Sequence, residues 1–348
     1  MSVSEIAAPG KTTGVTAGLI WRHRRRADRT RLVQIAVVTA VLALLPLFAG
    51  NDYQLTVLGL LLIYTIAGIG FYVILGLSGQ FAFSHAATMG IGAYCAAYAA
   101  RTQGFWVSLL FAVAVCAVLA AVVKLLLWRA SDFYFGIATL GLASVTIITF
   151  RAWESFTGPA SNAVMVTVPT VFGAEVTTPG DYYWLFLAFF VAGMLVVHRL
   201  RASALHRESI AVRDKPLTAA GLGIHNTRNQ LVVFVVGSCY AAVAGALYAQ
   251  SQGFISSPSF DLNLGINLFV VVIVGGMQSM WGPLLGAAFV IVLPELIRPA
   301  QNHRQLILAA VLVLTIVLLP EGLMGLAAPI RRAAARLRPR RDPEGGRP

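Results

Sequence analysis

The sequence predicts an all-α, polytopic integral membrane protein with about eight to ten transmembrane helices, some of them broken or re-entrant. Of its 348 residues, 58% are hydrophobic and only 11% are charged, and the mean hydropathy is +0.77. A water-soluble domain of this size needs many more charged side chains to cover its surface. The surplus apolar surface is therefore expected to face lipid.

Successive apolar runs provide the candidate spans, since a helix crosses the bilayer core in about 20 residues. The runs are 32–50, 54–76, 81–100, 106–128, 133–150, 183–200, 231–252, 266–277, 283–298 and 304–320. The run 266–277 is too short to cross alone, and 283–298 follows it closely. These two runs form either two short spans or a broken, re-entrant hairpin, which is tolerated where protein or a cavity shields it.

The distribution of positive charge predicts the orientation. The chain divides into a basic tail (1–31), a transmembrane domain (32–320) and a second basic tail (321–348), and its net charge is +12. With the N-terminus in the cytoplasm, 22 of the 26 Lys and Arg residues fall on the inner side, as the positive-inside rule requires. Both termini are therefore expected to be cytoplasmic. This charge favours contact with membrane lipid, and no nucleic-acid partner is expected.

No motif for catalysis accompanies the spans. The sequence contains neither a phosphate-binding loop nor an H-E-x-x-H or G-x-S-x-G motif, and no paired carboxylates lie within the spans. Cys95, Cys116 and Cys239 lie in apolar runs without the spacing of metal ligands. We therefore expect no catalytic residue, no metal and no cofactor, and no ATP hydrolysis by this chain itself.

The segment 76–85 is the most polar stretch at membrane depth. Gly76 and Gly79 can break a helix, and Gln80, Ser84 and His85 supply polar side chains near a new helix start. Polar groups in hydrocarbon are costly and tend to line pathways, and the N-terminus of a broken helix suits a carboxylate. The alternative is that these residues bridge neighbouring helices or form a tight turn at the interface.

Small residues recur every four positions in the run 231–252, at Gly237, Ala241, Gly245 and Ala249. This spacing predicts a smooth ridge on one helix face that permits close contact with another helix. The partner helix belongs either to this chain or to another subunit.

Two long polar segments interrupt the apolar pattern. Residues 151–182 are rich in Thr, Pro and Gly, which favours an ordered external loop or a short hairpin. Residues 201–229 lie on the inner side and are long enough for a short helix, a turn and a second helix at the membrane surface.

The inner loop, 201–229, carries a cluster of charged and small residues beside a glycine turn. The cluster consists of Arg213, Asp214, Ala219, Ala220, Gly221 and Gly223. A short amphipathic helix of this kind can dock into a groove on a cytoplasmic partner. The alternative is an ordinary solvated basic loop.

Taken in order, several short motifs resemble the LivM-like permease subunits of ABC importers for branched-chain amino acids. The resemblance covers roughly residues 54–326. Its motifs are GLSGQFAFSHA (76–86), GIGAY (90–94), FYFGIATL (133–140), WESFTG (153–158), AGALY (244–248), VGGMQSMWGP (274–283) and PEL (294–296).

The resemblance implies a permease that forms half of a translocation path in the inner membrane of a prokaryote. It implies a second permease (a different, LivH-like chain), two ATP-binding subunits and an external substrate-binding protein. It also identifies the inner loop as an ATPase-coupling segment, in which Arg213 and Asp214 match the charged entry. Ala219, Ala220 and Gly223 match the small-residue core and the turn glycine. Pro216 and Thr218 depart from the pattern and are expected to shorten the coupling helix.

Other functions remain open on the sequence. Similar permeases serve urea, amides and other small organic acids. An ion-coupled secondary transporter would need acidic residues in mid-span, whereas Asp132, Glu295 and Glu321 lie near span ends. A scaffold or assembly factor without transport activity is the third reading.

Overall fold

The computed structural model describes residues 13–48, 50–153, 157, 164–171, 173–296, 317–318 and 322–326. The first helix, α1 (Thr13–Phe48), forms a unit by itself. It begins well before Leu32, where the first predicted span starts. The basic segment 19–31 has no Gly or Pro, and its Arg and Ala residues are good helix formers, so the helix extends backward from the span.

Within the described residues of the second unit, ten further α-helices follow. They are α2 (Asp52–Phe71), α3 (His85–Ala99), α4 (Phe105–Leu126), α5 (Asp132–Ala152), α6 (Pro179–Ala202), α7 (Ala204–Asp214), α8 (Pro216–Gly221), α9 (Asn226–Gln252), α10 (Leu262–Gly275) and α11 (Gly282–Leu296). Within the described residues, seven helical stretches are long and apolar enough to cross a membrane. The prediction of an all-α, polytopic membrane protein is therefore confirmed. The candidate span 304–320 falls outside the described residues except at 317–318. The second basic tail, 321–348, falls outside them except at 322–326.

Helix α9 is the centre of this unit and packs against α2, α3 and α4. Its four small residues are all buried: Gly237, Ala241, Gly245 and Ala249. A Cβ atom on Gly237 would collide with the Ile74 side chain, and one on Gly245 would collide with the Met89 carbonyl. The helices therefore approach each other at backbone distance along this face.

Helices α10 and α11 form a tight hairpin. Gly275 faces the backbone of Gly282, and Gly286 faces the carbonyl of Val271, so that neither position has room for a Cβ atom. At 1.5 Å per residue, each helix is only about 21–23 Å long, shorter than the ~30 Å hydrocarbon core. A hairpin of two short helices is common to both interpretations of 266–298.

The two polar segments fold as the sequence predicts. In the described part of 151–182, β2 (Thr170–Val171) pairs antiparallel with β3 (Ala174–Glu175) as a short hairpin. The strand before it, β1 (Val164–Met165), pairs with β4 (Phe254–Ile255). The inner loop contains α7 and α8, separated by Lys215, which is the predicted helix, turn and second helix.

The contacts of α9 generate a prediction for a matched pair of glycines. Gly245→Ala places a methyl group against the Met89 carbonyl and should destabilise the protein by about 1–3 kcal/mol. Gly141→Ala lies in the interior of α5 with nothing within 4 Å of the new Cβ atom, and should stabilise it by about 0.5–1 kcal/mol. SDS denaturation followed by circular dichroism measures both changes. Equal effects of the two substitutions would contradict the close packing of α9.

Candidate functional site

The helix break expected at Gly76 and Gly79 is present at the end of α2. This helix passes into a π-helical stretch, Tyr72–Leu77, in which every residue is buried. Gly79 then adopts φ +74, a left-handed conformation that glycine reaches without a Cβ clash. Residues 79–84 are not helical, and α3 begins only at His85. Short π-helical stretches are frequent at functional sites.

Gln80 is fully buried in this break. Its Nε2 donates to Ser78 Oγ at 2.6 Å and to the carbonyl oxygen of Gln230, on α9, at 3.3 Å. Its Oε1 has no hydrogen-bond partner among the described residues. A buried acceptor without a partner is uncommon in folded proteins, so Gln80 is a candidate for contact with a polar group of a ligand.

Ser84 lines a cavity of about 150 Å³ between α3, α4, α5 and α9. The side chains of Thr88 and Thr146 add two further hydroxyl groups, and the rest of the wall is largely apolar, with Leu119 and Phe234 among its residues. A small cavity of this composition suits a ligand that is mostly hydrocarbon with few polar atoms.

His85 packs away from that cavity, against α2. Its Nε2 lies 2.9 Å from the carbonyl oxygen of Ala67, which can only accept, so Nε2 carries the hydrogen. Its ring packs edge-on against Phe71, with centroids 5.2 Å apart, and Phe71 in turn contacts Phe269. The structure therefore places Gln80 against α9, Ser84 in the cavity, and His85 in the core.

A second polar cluster lies nearby and was missed by the sequence reasoning. Lys124, in the last turn of α4, is 1% exposed, and its Nζ lies 4.1 Å from the ring centroid of Phe135, a cation–π contact. Asp132 Oδ1 accepts from Gln230 Nε2 at 3.4 Å. Polar contacts thus run from Gln80 through Gln230 to the start of α5. The sequence did contain a signal for this cluster. Lys124 is the only charged residue in the apolar run 106–128, and a lone charge in such a run usually has a partner within the protein.

The coupling-segment residues lie on α7, α8 and the turn that follows. In the helix α8, Ala219 is buried, whereas Ala220 and Gly221 are exposed. Gly223 has φ +81, and the amide of Ile224 donates back to the Ala219 carbonyl at 3.1 Å. This is the pattern of a glycine-terminated helix end.

Two leucines of this loop were also missed, because exposure cannot be read from composition. Leu217 is 89% exposed and Leu222 is 77% exposed, although both are large and apolar. An open groove of about 580 Å³ lies beside Leu222, and Gly223 and Arg228 also contribute to its wall. Exposed apolar side chains next to a groove are typical of a protein–protein contact.

Arg213 and Asp214 take different directions at the end of α7. The Arg213 guanidinium turns toward the break, where Nη1 donates to the Gly76 carbonyl at 2.6 Å. Its Nε donates to Asp214 Oδ1 at 3.0 Å. The Asp214 side chain is 56% exposed, against 26% for Arg213.

Comparison with known proteins identifies the family. The profile of the permease component of branched-chain amino acid transport systems matches residues 53–318. The LivM permease of a high-affinity branched-chain amino acid transport system from Salmonella typhimurium is 29% identical over 293 residues, covering 77% of this chain and 69% of that protein. The LivH permease from Escherichia coli K12 is 28% identical over 157 residues, 44% of this chain and 50% of LivH.

A more distant relative has a different named cargo. The LsrC permease of an autoinducer 2 import system from Klebsiella pneumoniae is 26% identical over 153 residues, covering 43% of this chain and 42% of LsrC. No solved structure matches this chain. Because the family profile covers the break, the inner loop and the α10–α11 hairpin, the chain belongs to the family of permease components of branched-chain amino acid transport systems.

Proposed function

We propose that this chain is the LivM-like permease subunit of an ABC importer and forms half of the translocation path for branched-chain amino acids. The family match over 53–318 is the observation that carries the proposal. The chain is a transport subunit, and ATP hydrolysis is assigned to a separate subunit. Since its relatives are bacterial permeases, we place it in the plasma (inner) membrane of a prokaryote.

The proposed assembly contains a second permease of the LivH type, two ATP-binding subunits and an external substrate-binding protein. The similarity to LivM covers 77% of this chain, whereas the similarity to LivH covers 44%, which supports the LivM position for this subunit. The description of the matching family favours branched-chain amino acids over the cargo of the LsrC relative.

In this proposal α8 and the turn after it dock on an ATP-binding subunit. Leu217 and Leu222 supply exposed apolar contacts, and the groove beside them receives the partner surface. The orientation rests on charge: with 22 of the 26 Lys and Arg on one side, that side and both termini are cytoplasmic.

The proposed path passes the break after α2. Gln80 supplies a free buried acceptor, and Ser84 supplies a hydroxyl in an apolar cavity. His85 abuts this path from the core side, where it holds α3 against α2 through the Ala67 carbonyl.

The function is tested on the tagged chain purified in mild detergent from its own membranes. An ATP-binding subunit should co-purify, and proteoliposomes supplied with the binding protein should take up leucine only when ATP is present. Uptake driven by a proton or sodium gradient without ATP would indicate a secondary transporter. Uptake of urea without leucine would redirect the substrate assignment and leave the transporter class in place.

Docking of the inner loop predicts a specific effect of Gly223→Val. The position has φ +81 and nothing within 4 Å of a Cβ atom, so the change acts through backbone strain of about 1–2 kcal/mol. Uptake and substrate-stimulated ATPase activity should fall together, while membrane insertion is retained.

Gly173→Val is the matched control for that variant. Gly173 has φ +85 and equally open surroundings, but it lies in the β2–β3 hairpin. The Gly173→Val variant should carry a similar backbone strain but keep normal uptake and normal substrate-stimulated ATPase activity. Equal coupled activities in the two variants would argue that the inner loop is only a solvated basic segment.

The proposed path predicts different thiol accessibility at two adjacent positions. In a chain whose Cys95, Cys116 and Cys239 are replaced by alanine, Ser84→Cys should react readily with a small water-soluble thiol reagent, because Ser84 lines the cavity. His85→Cys should react far more slowly. Both side chains are nearly fully buried, at 3% exposure for Ser84 and 2% for His85, but His85 packs against Ala67 and Phe71 instead of lining the cavity. Labelling followed by mass shift measures both rates. Inertness at position 84 in a well-folded variant would favour a packing role for this segment.

A further inference from the structure

The contact between Arg213 and Gly76 has the geometry of a helix cap supplied by another segment. The last four carbonyls of a helix have no partner within that helix. At the end of α2, the Ile74 carbonyl accepts from Ser78 Oγ at 2.8 Å, and the Leu75 carbonyl accepts from the Gly79 amide at 3.0 Å. The Gly76 carbonyl accepts from Arg213 Nη1 at 2.6 Å.

The electrostatics favour this cap. The C-terminal end of a helix carries partial negative charge and attracts a cation, and a hydrogen bond from a charged donor is stronger than one between neutral groups. Asp214 holds the guanidinium from its other side, through Nε at 3.0 Å.

Gly79 leaves the space that the arginine occupies. A Cβ atom at this position would lie 2.7 Å from Arg213 Cγ, so the arginine stem passes directly over the turn residue. The side chain is 26% exposed. Its guanidinium donates to the Gly76 carbonyl at the break instead of pointing to solvent. The position therefore differs from that of a basic residue that simply covers a cytoplasmic surface.

The other end of α7 is fastened to α9. Ser209 Oγ donates to Asn229 Oδ1 at 2.8 Å, and Asn229 Nδ2 donates to the Leu205 carbonyl at 3.4 Å. Asn229 is 3% exposed. Helix α7 is therefore held at both ends, by α9 near its start and by the end of α2 at its last turn.

We infer that Arg213 is a positioning residue, which transmits movement of the inner loop to the break that carries Gln80 and Ser84. The inference rests on the proposed function, since it requires an ATP-binding subunit that moves α8. Only Asp214 and Lys215 separate Arg213 from α8, with its exposed Leu217. Arg213 thus provides a direct link from the segment next to α8 to the carbonyl of Gly76.

The test uses the assembled transporter in proteoliposomes and measures substrate imported per ATP hydrolysed. In Arg213→Gln this ratio should fall by about tenfold, within the range of ordinary coupling between two sites, with basal ATPase activity and subunit ratio retained. Arg213→Lys keeps a charged donor and should restore part of the ratio. Arg199→Gln removes an exposed cytoplasmic-side arginine at the end of α6 and should leave the ratio unchanged.

Gly79→Ala provides a second route to the same contact, because its methyl group displaces the arginine stem. It also strains the backbone at φ +74, so a double variant is needed to separate the two effects. Gly79→Ala should lower the ratio with Arg213 intact, and the double variant Gly79→Ala/Arg213→Gln should be no worse than the more severe single variant. An unchanged ratio in either single variant would overturn the inference. So would failure of both to assemble, because Arg213 would then be a structural residue alone. A wild-type transporter that imports no amino acid would instead refute the proposed function.

Discussion

The fold depends on satisfying backbone groups that are buried away from water. A buried helix end must satisfy its terminal carbonyls with groups from the protein, because each one left without a partner carries a penalty of several kcal/mol. The break after α2 meets this requirement with Ser78, the Gly79 amide and Arg213. One of these three groups belongs to the inner loop, so the irregular backbone near Gln80 is completed by a segment far away in sequence.

The close packing of α9 follows from the apolar lipid that surrounds a membrane protein. Lipid chains are as apolar as leucine, so apolar side chains give helices little reason to associate, and close backbone contact has to take their place. Gly237 and Gly245 provide that contact with α2 and α3. Because α9 also carries Asn229 and Gln230, the helix at the centre of the bundle also anchors both α7 and Gln80.

The elements of the fold were largely predictable, because apolar length and the positions of glycine and proline are local properties of the chain. They placed most spans, the break at Gly76 and Gly79, and the two helices of the inner loop. The first span was predicted from residue 32, close to the apolar stretch Thr30–Phe48. Helix α1 extends further back, to Thr13, because apolar length marks only the part of a helix that meets lipid and takes no account of basic helix formers before it.

The directions of side chains were less accessible to sequence reasoning. The inward turn of Arg213, the burial of Lys124 against Phe135 and the exposure of Leu217 depend on which elements meet in space. The sequence reasoning placed Arg213 in the coupling cluster without its direction, and it did not single out Lys124 or Leu217. The same limit applies to the separation of Ser84 from His85, since adjacent residues at a helix start diverge by the helical turn angle and meet different neighbours.

The exposure of Leu217 and Leu222 also bears on how the cell keeps its subunits in proportion. If an ATP-binding subunit covers this surface as proposed, a chain without that partner leaves two large apolar side chains exposed, which promotes self-association and recognition by chaperones and proteases. A permease made in excess of its partner would be removed faster than one already assembled. The amount of intact transporter would then follow the scarcer subunit, and overproduction of this chain alone would yield little additional protein.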